Sequence, residues 1–159
     1  MQLNPRVFDV WAFRRDADAV RYLLLHSSQH KADRYFNGGR FWQLASGARA
    51  EAESMTQAID RVLAPYGIEA SAIWAAEHAY TIYNRRFDEM QLVSVFAAQV
   101  DADEVRLNPL EHADYRWVTV DEALALVHYR GLKDGLRSVV EYVTGVASPA
   151  RELCLRGPG

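Results

Sequence analysis

The segment Gly47-Ala-Arg-Ala-Glu-Ala-Glu53, with Arg61 eight residues further on and Gly67-Ile68 closing it, most constrains this chain. It reads as a loop, a helix over residues 54–66 and a second loop. Ser54 and Gln57 can form a capping box, the hydroxyl accepting the third helical N–H while the amide reaches back. Met55, Ile59, Val62, Leu63 and Tyr66 recur at helical spacing and make one apolar face. Pro65 cannot donate to the helical ladder, and Gly67 supplies the stop. Glu53 and Arg61 lie about two turns apart on the same face, where Arg can take a carboxylate bidentately.

An amphipathic helix needs a surface to cover, and the flanking sequence supplies strands. Val7 to Phe13 alternates, meets the charged turn Arg14-Arg15-Asp16-Ala17-Asp18, and is followed by Arg21-Tyr22-Leu23-Leu24-Leu25-His26, a hairpin pattern. Residues 27–40 are polar, contain Asn37-Gly38-Gly39 and read as a loop. Phe41-Trp42-Gln43-Leu44 is a short strand entering Ser46-Gly47. Residues 72–83 and 91–100 read as strands split by the turn 84–89, and Tyr115-Arg116-Trp117-Val118 as another. Thr119 and Glu122 make a second capping box for a helix over 121–127, and a last helix carries Leu132, Leu136, Val139, Val140 and Val143. Helices covering a mixed sheet, an α/β or α+β sandwich, follow from this order. One domain over residues 1–146 and a flexible tail over 147–159, rich in Pro and Gly, are expected.

Composition narrows the functional classes. A net charge of −3 provides no basic field for long nucleic acid, so a small anionic ligand would need a local cationic patch. No apolar run reaches membrane-spanning length, and the first residues lack a signal-peptide profile. The single cysteine, Cys154, excludes an intrachain disulfide. A cytoplasmic protein with no membrane partner is expected. No P-loop, dinucleotide G-x-G-x-x-G or G-x-S-x-G motif occurs.

The loop–helix–loop segment resembles the Nudix box, G-x5-E-x7-R-E-U-x-E-E-x-G-U with U bulky and apolar, on Gly47, Glu53 and Arg61. Phe41 to Gly47 resembles the strand that enters the box in family members acting on nucleoside or pterin triphosphates. Glu111 to Ala123 resembles the family's late strand and helix. The resemblance covers residues 5–145 and implies the Nudix α/β/α sandwich, a mixed sheet flanked by helices, and hydrolysis of nucleoside-diphosphate-linked or related pyrophosphate substrates with Mg²⁺ or Mn²⁺. It also implies a homodimer. The family's three helix glutamates, counted forward from Gly47, fall on Val62, Pro65 and Tyr66; counted back from Gly67-Ile68, they fall on Arg61, Ala64 and Pro65. Neither register places a carboxylate there, and Mg²⁺ prefers clustered hard oxygen ligands.

The box is therefore degenerate, and two readings stand: a pyrophosphohydrolase with a nonstandard metal site, or a catalytically inactive nucleotide-binding or regulatory module. The substitute metal ligands are Glu51, Glu53 and Asp60, whereas Glu53 paired with Arg61 would be scaffold. Glu53 and Glu111 are the candidate catalytic carboxylates. Trp42, Gly47, Arg61 and Arg86 are the candidate contacts to a small phosphorylated ligand, with Trp42 as a stacking surface and Arg86, beside Arg85, meeting phosphate.

Overall fold

The computed structural model of the chain describes residues 2–17 and 19–157; Met1, Asp18 of the expected charged turn, Pro158 and Gly159 lie outside the described residues. In chain order the strands and helices are β1 (Leu3–Asn4), β2 (Val7–Asp16), β3 (Ala19–Ser27), α1 (Gln29–Tyr35), β4 (Trp42–Gln43), β5 (Ala45–Ala48), α2 (Met55–Leu63), β6 (Ala70–Asn84), β7 (Glu89–Val100), β8 (His112–Val118), α3 (Val120–Leu126), α4 (Arg130–Val139) and β9 (Cys154–Arg156). The strands form one mixed sheet in the order β4-β3-β2-β7-β6-β9, with β1 on β7, β5 on β2 and β8 on β3. β2 runs parallel to β7, pairing Phe8 with Ser94 and Phe13 with Gln99.

Strand alternation sends side chains to two opposite layers. Phe8, Val10 and Ala12 of β2, with Leu23 and Leu25 of β3, face α2 and bury Ala58, Ile59 and Leu63. Trp11, Phe13, Tyr22 and Leu24 face the other way and bury Ala123 and Val127, together with Leu136 and Val139 of α4. Each fully buried Ile or Leu contributes roughly 1.5–3 kcal/mol. The expected sandwich of a mixed sheet between helices is what the chain forms. Both capping boxes are made: Gln57 N–H donates to Ser54 Oγ at 3.2 Å, and Glu122 N–H to Thr119 Oγ1 at 3.3 Å.

One expectation is corrected. The stretch expected to be a loop contains α1, because Ser28 caps it, accepting from Lys31 N–H at 3.0 Å, and is itself anchored by donating to the Leu110 carbonyl at 2.8 Å. Ala32 is its one buried residue, so no apolar period marked it in the sequence. Within residues 147–159, expected as a tail, residues 151–156 carry secondary structure. After a short 3-10 turn, β9 pairs with the outer edge of β6, and the Arg156 guanidinium donates to both Asp60 oxygens at 2.9 and 2.7 Å and to the Ala70 carbonyl at 3.0 Å. Among the described residues no helix is long and apolar enough to cross a membrane.

Candidate functional site

The box segment is held together by its own charges. Arg61 Nε donates to Glu53 Oε2 at 2.7 Å and Arg61 Nη2 to Glu53 Oε1 at 2.9 Å, while Ala50 N–H donates to the same Oε1 at 2.8 Å. Arg61 Nη2 also reaches the Ala48 carbonyl at 2.8 Å, so the pair ties loop to helix. Hydrogen bonds from Arg61 and Ala50 hold the Glu53 carboxyl down at about 2. Gly47 has a packing role, since a Cβ there would come within 2.7 Å of Val62 Cγ2.

The Mg²⁺ or Mn²⁺ that the resemblance implies does not fit this donor set. Glu53 has both oxygens engaged by Arg61, and Asp60 has both engaged by Arg156. Glu51, Glu53 and Asp60 are therefore not brought together, and no group of three or more His, Cys, Asp or Glu able to share a metal occurs among the described residues. Tyr66, at one of the family's glutamate positions, has its phenol pushed up to about 12 by burial and by the nearby Glu111 charge, so it stays neutral.

On the opposite face of the sheet lies a better-formed space. Asp9 of β2 is the cross-strand partner of Ser46 of β5, and both side chains line a cleft of ≈ 460 Å³ with Gln43, Tyr80, Ile82, Tyr129 and Gly131. Tyr80 Oη donates to Asp9 Oδ2 at 2.5 Å. Gly131, in the first turn of α4, allows this: a Cβ there would meet Tyr80 Cε2 at 2.4 Å. A second cleft of ≈ 630 Å³ shares Gln43, Ser46, Ile82 and Tyr129 with the first and continues to Lys31, Tyr35, Arg85, Arg86 and Phe87. Together they make one groove. A third hollow, of ≈ 840 Å³, lies at the C-terminal end of α2, where the Arg156–Asp60 pair crosses its wall.

The groove is electrically polarised. Burial lifts the Asp9 carboxyl to about 6, the Tyr80 hydrogen bond pulling the other way. Burial, then Asp9, pushes the Tyr80 phenol up, so it remains a donor. At the far end Lys31 is half-buried, and burial lowers its ammonium, with the Glu111 charge pulling the other way and the Arg86 charge adding to the fall. His112, behind Lys31, is pushed down to about 4 by burial and by Lys31, and is neutral. In the wall shared by the two clefts, Gln43 Oε1 is buried with no hydrogen-bond partner among the described residues.

The sequence candidates divide accordingly. Arg86 lines the groove, its guanidinium 3.8 Å from the Tyr35 ring centroid and 4.8 Å from that of Phe87. Trp42 lies against His26 at 4.3 Å between centroids and under Arg116 at 4.8 Å, and lines none of the three hollows. Glu111 is exposed in the turn before β8, with its carbonyl accepting from Ser28 N–H at 2.8 Å and its charge felt by Lys31 and Tyr66. Glu53, Gly47 and Arg61 form the scaffold already described. Sequence reasoning missed Asp9, Tyr80, Lys31 and Gln43. One signal was there to read: Asp9 is a charge set between Phe8 and Val10 in an apolar strand.

Solved structures place this architecture. A protein of Listeria monocytogenes named as a candidate Nudix hydrolase superposes with a TM-score of 0.73 at 17% identity, covering 92% of this chain and 99% of that one. The Ap4A hydrolase of C. elegans, solved as a binary complex, gives 0.67 at 20% identity, covering 88% and 98%. The Nudix domain of NrtR from Shewanella oneidensis, solved with ADP-ribose, gives 0.60 at 17% identity, covering 89% of each chain. Searches of family models and of curated proteins give no match. The chain has the Nudix fold, and the resemblance read from Gly47, Glu53 and Arg61 holds at that level.

Proposed function

We propose that this chain is a Nudix-type protein whose ligand is a nucleoside-diphosphate-linked or related pyrophosphate compound, bound in the groove that runs from Asp9 to Arg86. Binding without rapid turnover is the activity the site supports best. The observation that carries it is Glu53: both its oxygens are engaged by Arg61, so the box is a brace. The groove supplies complementary chemistry, with an acceptor at Asp9 suited to a ring bearing N–H groups and cations at Lys31, Arg85 and Arg86 suited to phosphates. The ADP-ribose in the NrtR domain is a compound of this class on the same fold.

Pyrophosphate hydrolysis is the second reading, favoured by the fold likeness to the Ap4A hydrolase. In that reading Glu111 is the carboxylate to test, because it is exposed beside Lys31 and the end of α2. A homodimer in the cytoplasm completes the proposal, and light scattering checks the dimer.

A panel of ADP-ribose, dinucleoside polyphosphates and nucleoside triphosphates, assayed with Mg²⁺, with Mn²⁺ and with chelator, separates the two readings. Calorimetric binding with no product release supports the module. Metal-dependent turnover abolished by Glu111→Gln supports the hydrolase and overturns the first reading.

A further inference from the structure

We propose that the outer half of the groove, between α1 and the turn joining β6 to β7, is a metal-free phosphate subsite. Lys31, Arg85 and Arg86 there neutralise a diphosphate that the box cannot hold through a cation. The inference rests on the reading above and adds where the phosphates lie and what holds them.

The first support is charge outside any ion pair. Five of the 18 basic residues, Arg14, Arg21, Arg61, Arg137 and Arg156, pair with a carboxylate among the described residues. Among the described residues no carboxylate lies within ion-pair distance of Lys31, Arg85 or Arg86, although acidic residues outnumber basic ones by 21 to 18. Three cations gathered in one cleft of an acidic chain repel one another; at Lys31 burial is the main influence lowering the ammonium, with Glu111 favouring the charge and Arg86 opposing it. A polyanion in the cleft removes this cost.

The second support is placement. Arg85 Nη2 is held by Asn37 Oδ1 at 3.3 Å and Arg86 Nη2 by Tyr35 Oη at 3.2 Å, while Tyr35 and Phe87 lie under the Arg86 guanidinium. The two arginines are thus braced by neutral groups, which fixes their direction and leaves N–H donors for a ligand. Planar guanidinium forks take phosphate oxygens in pairs, and the Lys31 ammonium adds a point charge from the facing helix.

The third support is Gln43. Gln43 lines both halves of the groove, and its unpartnered Oε1 is buried beneath that wall, so a ligand bridging the halves meets this acceptor once the side chain turns outward. A ribose hydroxyl or a ring N–H between base and diphosphate is the chemical match.

The test is calorimetry with two probes, inorganic pyrophosphate and ADP, each in chelator and in Mg²⁺. Wild-type protein should bind both in chelator. Arg85→Gln with Arg86→Gln, and separately Lys31→Gln, should each weaken both probes by about tenfold. Arg86→Lys, which keeps charge but loses the fork, should fall between. Arg21→Gln, remote on β3, should change nothing, and thermal melts should show each variant folded. ADP bound equally well by wild type and by the double arginine variant would overturn the subsite and leave the proposed function standing, as would binding that vanishes in chelator. Pyrophosphate held through the cations with ADP held no tighter would support the subsite and remove the nucleotide reading. Neither probe binding folded wild type would overturn both.

Discussion

Tyr80 on β6 donates its phenolic proton to the buried carboxylate of Asp9 on β2 at 2.5 Å, and the space its ring fills exists because residue 131 has no side chain. Strand, strand and helix are each needed for that one bond. Gly131→Ala would place a methyl 2.4 Å from the Tyr80 ring, so the ring must swing away and leave Asp9 buried without its donor. A stability loss of about 1–3 kcal/mol is expected, close to that of Tyr80→Phe. Urea denaturation of the two variants checks it, and a Gly131→Ala protein as stable as wild type would contradict it.

Asp9 also predicts a pH dependence. Its carboxyl is lifted from 3.8 to about 6, chiefly by burial. Between those values the folded chain keeps a proton that the unfolded chain has lost, so the contribution of Asp9 to stability falls as pH rises through that window. Asp9→Asn removes the titration. The stability difference between variant and wild type should therefore shift in the variant's favour, by on the order of 2–3 kcal/mol, from pH about 4 to pH about 6.5. A difference that stays flat across that range would show that Asp9 titrates normally.

His112 works in the opposite sense. Burial and Lys31 lower its imidazole from 6.5 to about 4, so the unfolded chain takes up a proton first as pH falls. Its stabilising contribution is complete above pH 6.5 and is lost on acidification toward 4. His112→Gln should lose less stability than wild type over that interval, measured by thermal melts.

The box should bind divalent cations weakly. A titration with Mg²⁺ or Mn²⁺ is expected to show no tight site, because Arg61 competes for Glu53 and Arg156 for Asp60. Ala64→Glu alone should not create one, since Pro65 and the one-residue shortening before Gly67 displace the register. Micromolar Mg²⁺ affinity lost in a Glu51→Gln, Glu53→Gln double variant would prove the opposite.

Removing the end of the chain after Ala150 should expose the outer edge of β6 and release Asp60. An uncovered strand edge invites pairing between molecules. Faster aggregation on mild heating, followed by light scattering, is expected, and unchanged colloidal behaviour would show that β9 is dispensable.

What could be read beforehand was local. Ser54 with Gln57 and Thr119 with Glu122 announce helices because the partners are three residues apart, and the Glu53–Arg61 brace spans only two turns. The alternation of Phe8, Val10 and Ala12 against Trp11 and Phe13 gives the two layers directly. α1 escaped because its anchor, the Leu110 carbonyl, is 82 residues from Ser28. β9 escaped for a similar reason: three residues become a strand only when Trp74 and Ile73 lie alongside. The groove was the least legible, since Asp9 and Tyr80 are 71 residues apart and Arg86 meets Tyr35 across 51.

The parallel pairing of β2 with β7 has a kinetic meaning. It joins residues 8–13 to residues 94–99, so the middle of the sheet closes a loop that contains nearly everything between them. Closure of so long a segment must precede the reward from its contacts, and topologies of this kind fold slowly for their size. In the folded chain Asp9 and Ser46 share the groove with Tyr80, which that closure brings within reach. The groove is therefore a property of the closed sheet, and no excised hairpin or helix pair would carry it.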